Sequence, residues 1–200
     1  MPIPIYQGER LEVVCVRGRF PNAIIRVKEY RDDTFICVDR ESIADVATFL
    51  RDDERLQYTY FVECTCVDYS RWPHERDLPG RFEVIYNLYS LKYRSRIFLK
   101  VGVDDGQEVP TLVGVYPGAE YPEREVWDLY GVRFRGHPKL HRFLLPDDWV
   151  GHPLRKDFPL GGEDVVFAQN TVGPAVEDES VPHAGESFEG RTGSEDVSGR

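Results

Sequence analysis

Glu123 falls on the apolar stripe of a short charged run, Glu123-Arg124-Glu125-Val126-Trp127-Asp128-Leu129-Tyr130-Gly131. At helical spacing it shares a face with Val126, Trp127 and Tyr130. A carboxylate on such a face is costly to bury unpaired. It is either a proton-handling acid or a carboxylate held by a buried arginine or by backbone N–H groups, and the second is the expectation. Arg124 and Asp128 lie at i, i+4 and are predicted to pair, worth about 0.2–0.5 kcal/mol when exposed. Glu125 stacks near Leu129, as a solvated residue that favours the helix dipole or as an interface contact.

Other residue sets could do chemistry. His137 and His141 have the i, i+4 spacing of a metal-ligand pair, but only Asp147 or His152 could extend the set, so two interface histidines are expected. Cys64 and Cys66 point to one face of a strand and, with Cys15 and Cys37, reach the count of an iron–sulfur site. Their spacing is unlike a cluster-wrapping loop, so small buried thiols are expected. Gly161-Gly162 lacks the Lys-Ser/Thr of a phosphate loop, and no Ser or Cys sits in a nucleophile elbow. The Asp-Asp pairs at 32–33, 52–53, 104–105 and 147–148 read as turns and caps.

These residues need elements to position them. Ile24, Ile25 and Val27 and then Phe35, Ile36 and Val38 predict a hairpin turning at Tyr30-Arg31-Asp32-Asp33. Asp39 is placed to cap a helix whose stripe is Ile43, Val46, Ala47 and Leu50. Residues 58–69 are strand-like, and 72–80 are a loop broken by Pro73 and Pro79. The alternating runs 82–88 and 97–103 predict an antiparallel pair joined through Ser90 to Ser95. Their second faces are partly apolar and call for a covering helix or partner. Val109 to Tyr116 fits a short helix or extended chain. A helix is predicted from Pro122, as its first residue, to a stop at Gly131.

The expected architecture is α+β: a mixed or antiparallel sheet with a few helices in a body over 1–131, its core starting at about residue 20. An extended, Pro-rich docking arm follows over 132–160. It carries six Lys/Arg and three Asp between 133 and 157, beside Phe143, Leu144, Leu145, Trp149, Leu154, Phe158 and Leu160. Those apolar side chains must cover the body, a partner, or both. Residues 161–200 hold nine acids against two bases, −7 of the net −10, and read as a disordered acidic tail. The near-neutral body lacks the basic face that nucleic acid requires. No apolar run is long enough to span a membrane, and Met-Pro-Ile-Pro-Ile is not laid out as a signal peptide, so a cytosolic chain is expected.

The run Glu123 to Val132, the Gly-His-Pro at 136–138 and the Gly-His-Pro-Leu-Arg-Lys-Asp-Phe-Pro-Leu at 151–160 resemble the paired motifs of the C-subunit family of bacterial respiratory complex I, the proton-pumping NADH:quinone oxidoreductase. Upstream, Cys66-Val67-Asp68-Tyr69 and Phe82 to Leu88 resemble the same family; His141 and Phe143 depart from its pattern. The resemblance covers roughly residues 20–160. It implies a non-catalytic peripheral-arm subunit with no flavin or iron–sulfur cluster of its own, in a complex that uses FMN, Fe–S clusters and quinone. Implied partners are the D subunit, which shapes the quinone pocket, and the B and I subunits. The implied place is the cytoplasmic side of the cell membrane, reached only through the complex. Partner-interface residues are then Glu123, Arg124, Glu125, Asp128, His137, His152, Arg155, Lys156, Asp157 and Phe158, and loss of Arg155 and Lys156 is expected to weaken assembly more than it unfolds the body. The alternatives are a homologous subunit of a membrane-bound hydrogenase or of a quinone reductase with another donor, and a Cys-based Fe–S carrier.

Overall fold

Both arms of the predicted hairpin appear in the computed structural model, which describes Ile5, Tyr6 and residues 9–159. Strand β3 spans Ile24–Tyr30 and β4 spans Asp33–Val38; they follow β1 (Ile5–Tyr6) and β2 (Glu9–Arg10). Arg31 and Asp32, at φ 50° and 71°, make the two-residue turn whose twist matches that of the paired strands. Asp39 accepts the N–H of Glu41 at 3.1 Å and so caps a 3₁₀ turn, Arg40–Ser42, which leads into helix α2, Ile43–Asp52. Its stripe of Ile43, Val46, Ala47 and Leu50 is fully buried. Each branched side chain contributes roughly 1.5–3 kcal/mol by leaving water.

The main sheet adds β5 (Tyr60–Asp68), β6 (Phe82–Ser90) and β7 (Ser95–Val103), in the order β3-β4-β7-β6-β5. All its pairings are antiparallel except β4 with β7, where Phe35 opposes Phe98 and Cys37 opposes Lys100. The fold is thus α+β with a mixed sheet, as the alternating runs imply. One face supplies the core through Ile36, Val84, Tyr86, Leu88, Ile97, Leu99 and Val101, each fully buried. On the other face Phe35 stacks on Phe98 at 4.8 Å and Lys100 pairs with Glu83 at 3.1 Å.

The core starts upstream of residue 20. Helix α1, Leu11–Arg19, buries Val13 and Val16. Its residues carry little helical signal: three valines and a glycine in nine positions lower helix propensity. Tertiary bonds compensate. Buried Glu12 pairs with Arg10 and accepts the Tyr58 hydroxyl at 2.9 Å, while Arg10 donates to Thr34 at 2.8 Å and Ser95 at 2.6 Å.

The ambiguous stretch after 108 resolves into a three-residue strand, β8 (Glu108–Pro110), followed by turns. It pairs in parallel with β9 (Arg133–Arg135). Helix α3 runs Glu120–Tyr130 behind a 3₁₀ turn at Pro117–Ala119. Pro122 is therefore its third residue, not its first; any first-turn position tolerates proline, because those N–H groups have no partner within the helix. Gly131 ends α3 at φ 79°, its N–H on Trp127 O at 2.8 Å. A Cβ there would stand 2.6 Å from Arg155 Nη2 and from His152. Gly131→Ala is expected to lower stability by about 1–2 kcal/mol from backbone strain alone, with the clash added, as a reduced urea midpoint.

Candidate functional site

Helix α3 has two polar sides, each a product of its sequence. On the first, Glu123 is fully buried. Its Oε1 accepts the N–H of Leu112 at 2.8 Å and the Tyr86 hydroxyl at 3.2 Å, and its Oε2 meets the Thr111 hydroxyl. The expected backbone partner is present, but no arginine among the described residues is in contact. Burial without a cation pushes this carboxyl up to about 7, although the three donors pull the other way. The same pocket raises the neighbouring thiol of Cys64 and phenol of Tyr86, first by burial and then by the Glu123 charge.

Asp128 occupies the second side, also fully buried. Its Oδ2 accepts three successive N–H groups, those of Phe143 (3.0 Å), Leu144 (2.8 Å) and Leu145 (3.0 Å). Its Oδ1 accepts Arg142 Nη1 at 2.8 Å. Burial works against the anion, but Arg142 and the N–H groups outweigh it and hold the carboxyl below its usual range. Arg142 also donates to the carbonyls of Asp128, Trp149 and Gly151. Arg124 does not pair with Asp128. It donates to the carbonyl of Arg142 at 2.9 Å and lies 3.0 Å from His141 Nδ1, with its guanidinium over Tyr121 and Phe143. The i, i+4 expectation fails because the arm brings the Asp128 carboxylate a guanidinium and a run of N–H groups in a buried setting, where charge-assisted bonds outweigh a helix-surface pair.

The arm is made of turns that return onto α3 and the sheet. The two predicted histidines both turn to α3: His137 Nε2 lies 3.0 Å from Glu120 O, and His141 meets Arg124. His152 places Nδ1 2.8 Å from Asp128 O, which fixes the proton on Nδ1; burial first, then Arg155 and Arg142, lower its pKa. Arg155 donates to Tyr130 O at 2.6 Å and to both oxygens of Asp105, and lies over the Phe82 ring. Asp68 accepts Arg81 at 2.8 Å and the N–H of Lys156 at 2.9 Å; these and the Ser70 N–H outweigh burial and hold it far below the usual carboxylate range. Arg81 also reaches Asp157 at 2.7 Å. The Phe158 ring sits over Gly151, where an added Cβ would be 2.9 Å away.

Of the ten residues expected at the interface, Glu123, Arg124 and Asp128 are buried within this chain. Arg155 is an internal strut too. Arg155→Ala is expected to lower the stability of the isolated protein by about 1–3 kcal/mol, whereas Lys156→Ala, with its side chain outside, shifts it by less than about 0.5 kcal/mol; thermal melts of the two separate them. Glu125, Lys156 and Asp157 remain exposed, and His137, His152 and Phe158 are half-buried. Sequence reasoning overlooked Asp68 as an anchor. The signal was strand parity: it shares the inward face of β5 with Cys64 and Cys66, an acid on a core face. The roles of Arg81, Asp105 and Arg142 carried no local signal. Cys15, Cys37, Cys64 and Cys66 are all buried free thiols. Among the described residues no three His, Cys, Asp or Glu side chains converge as a metal site would. Gly161-Gly162 and the acidic tail lie outside the described residues.

Fold and geometry define an α+β protein whose buried charges lock an arm to a helix and leave apolar side chains of that arm outside. The profile of the family described as "Respiratory-chain NADH dehydrogenase, 30 Kd subunit" matches residues 36–164. The NADH-quinone oxidoreductase C subunit of Roseiflexus sp. (strain RS-1) is 50% identical over 157 residues, 78% of this chain and 86% of that one. The C subunit of the same enzyme from Geobacter sulfurreducens is 43% identical over 153 residues, 76% and 90% of the two chains. Among solved structures, the trypsin-resistant fragment of Nqo5 is similar at 28% identity and a TM-score of 0.54, over 65% of this chain and 98% of the fragment. A chain of the membrane-bound sulfane sulfur reductase, an archaeal respiratory membrane complex, shares the fold at a TM-score of 0.60 and 23% identity, over 88% of this chain and 96% of that one. The chain belongs to the 30 kDa subunit family of the respiratory-chain NADH dehydrogenase. No helix among the described residues is long and apolar enough to cross a membrane.

Proposed function

We propose that this chain is a non-catalytic peripheral-arm subunit of a proton-pumping NADH:quinone oxidoreductase. It holds the quinone-site D subunit and lies near the B and I subunits, on the cytoplasmic side of the membrane. FMN, Fe–S clusters and quinone belong to the other subunits, and this chain contributes docking surface. One observation carries the reading. The arm spends its polar groups internally, on Asp128, Asp68 and Tyr130 O, yet leaves Phe143 (41%), Leu144 (55%), Val150 (87%) and Leu154 (46%) exposed. With Tyr121 (55%), whose ring is 5.4 Å from Phe143, these form apolar surface on a well-anchored base. Such surface favours association by its burial.

The test is affinity purification of the tagged full-length chain from its membranes. Recovery with a flavin module and the D, B and I subunits is the expected result. Recovery with a nickel-bearing large subunit and no flavin module would instead place the chain in a hydrogenase-type complex. Phe143→Ser with Leu144→Ser, at exposed positions, should reduce that recovery while leaving the melting temperature of the isolated chain within a few degrees.

A further inference from the structure

A groove of about 500 Å³ lies between α1 and α2, away from the arm. Leu11, Val14, Cys15 and Phe49 line it as an apolar floor, and Gly18, Arg19 and Arg55 complete it. Leu11, Val14 and Phe49 are only half-buried, so the groove shows apolar surface that the protein's own core does not cover.

Gly18 is the telling residue. It sits inside α1, two positions before the C-cap Phe20, not at the position beyond the helix where a left-handed glycine ends one. Its backbone is not in the left-handed region. Among the described residues a Cβ built on it meets nothing within 4 Å. Neither backbone conformation nor packing against the described residues requires a glycine here, and alanine would favour the helix by up to about 1 kcal/mol. What glycine does supply is room for another backbone to approach closely.

The charges around the groove say what would approach. Arg17 pairs with Glu9, and Arg55 forms a two-pronged pair with Asp53. Arg19 has no carboxylate partner among the described residues; its guanidinium lies 5.9 Å from the Phe20 ring. The C-terminal end of α1 favours a cation at this position, which explains an arginine but not the glycine beside it. A bare backbone step, an apolar floor and one uncommitted arginine together suit an amphipathic helix with an acidic edge.

We propose that the α1–α2 groove seats a helix of a neighbouring protein in the complex, with its apolar face on Leu11, Val14 and Phe49, its backbone passing over Gly18 and a carboxylate on Arg19. This rests on the chain being part of the respiratory complex, and it adds a second contact surface distinct from the arm.

The experiment compares Gly18→Leu, Arg19→Glu and wild type, each tagged and expressed as the full chain in the host. Gly18→Leu is expected to leave the melting temperature of the isolated chain unchanged or raised, yet to lower its recovery with the complex at least tenfold. Arg19→Glu, at an exposed side chain, is expected to lower recovery in the same direction, and it decides the matter if Gly18→Leu proves unstable. A photo-crosslinking residue at Val14 is expected to link to an Asp- or Glu-bearing helical peptide from another protein of the complex. Normal recovery of both variants overturns the inference. So does a crosslink confined to this chain's own residues, to a second copy of it, or to lipid. If wild type itself is not recovered with the complex, the proposed function fails and takes this inference with it; wild-type recovery with indifferent variants sinks the inference alone.

Discussion

Replacing Asp128 with alanine should release the arm from α3 and lower stability by about 3–5 kcal/mol, the range for removing one partner of a buried charge pair. The loss is large because four bonds end on this one carboxylate: three successive backbone N–H groups and the Arg142 guanidinium. Without it, Arg142 keeps its charge at a side chain only 13% exposed, and the turn at 143–145 loses the acceptor that shapes it. The sheet does not depend on these bonds. The expected result is therefore selective: protease cleavage between residues 136 and 158 becomes fast, while the β-sheet circular dichroism signal is kept at low temperature. An Asp128→Ala protein with wild-type urea midpoint and wild-type protease resistance would show that apolar contacts hold the arm. Asp128 and Asp68 also set an acid limit. Both carboxyls titrate lower in the folded protein than in the unfolded chain, so their contribution is present above the ordinary carboxylate pKa and is lost as pH falls through the folded value.

Glu123 works in the opposite direction. Its carboxyl rises from 4.5 in the free chain to about 7 in the fold. Between those values the folded protein holds a proton that the unfolded chain has released, so the contribution of Glu123 to stability falls as pH rises and levels off above about 7. The upshift corresponds to about 3 kcal/mol. Glu123→Gln keeps an oxygen for Leu112 N–H and Tyr86 and can turn its amide toward Thr111, without a charge to bury. Its unfolding free energy in urea should match wild type near pH 4.5 and exceed it at about pH 8, by up to about 3 kcal/mol. The groups around this site are few: Thr111 and Leu112 from the turn after β8, Tyr86 from β6 and Cys64 from β5. None is a cation, which is why the shift is upward. A Glu123→Gln protein whose advantage over wild type does not grow between about pH 5 and 8 would mean that water or a charge reaches Glu123.

Much of this architecture could be read from residue order because the relevant physics is local. Strict alternation at 82–88 and 97–103 specifies strands with one inward face, and the i, i+3, i+4, i+7 stripe at Ile43 to Leu50 specifies a helix. Glu123 stood out for the same reason, as an acid in the wrong phase of an apolar pattern. Helix α1 did not, because Val13, Val14 and Val16 favour strand as much as helix, and Glu12 and Arg10 fix the choice through Tyr58, Thr34 and Ser95, up to 85 residues away. The β8–β9 pair is three residues long, too short to leave a period.

The chain's own order of residues thus settled the element types and inward faces of the periodic segments and the apolar, basic character of the stretch after Gly131, since side-chain period and composition need no knowledge of neighbours. Which donors satisfy which buried acids was decided only in three dimensions. Asp128 is matched by residues 14 to 17 positions away and Asp68 by Lys156, 88 positions away. A buried charge must find its partners wherever packing places them, and sequence spacing does not encode that distance.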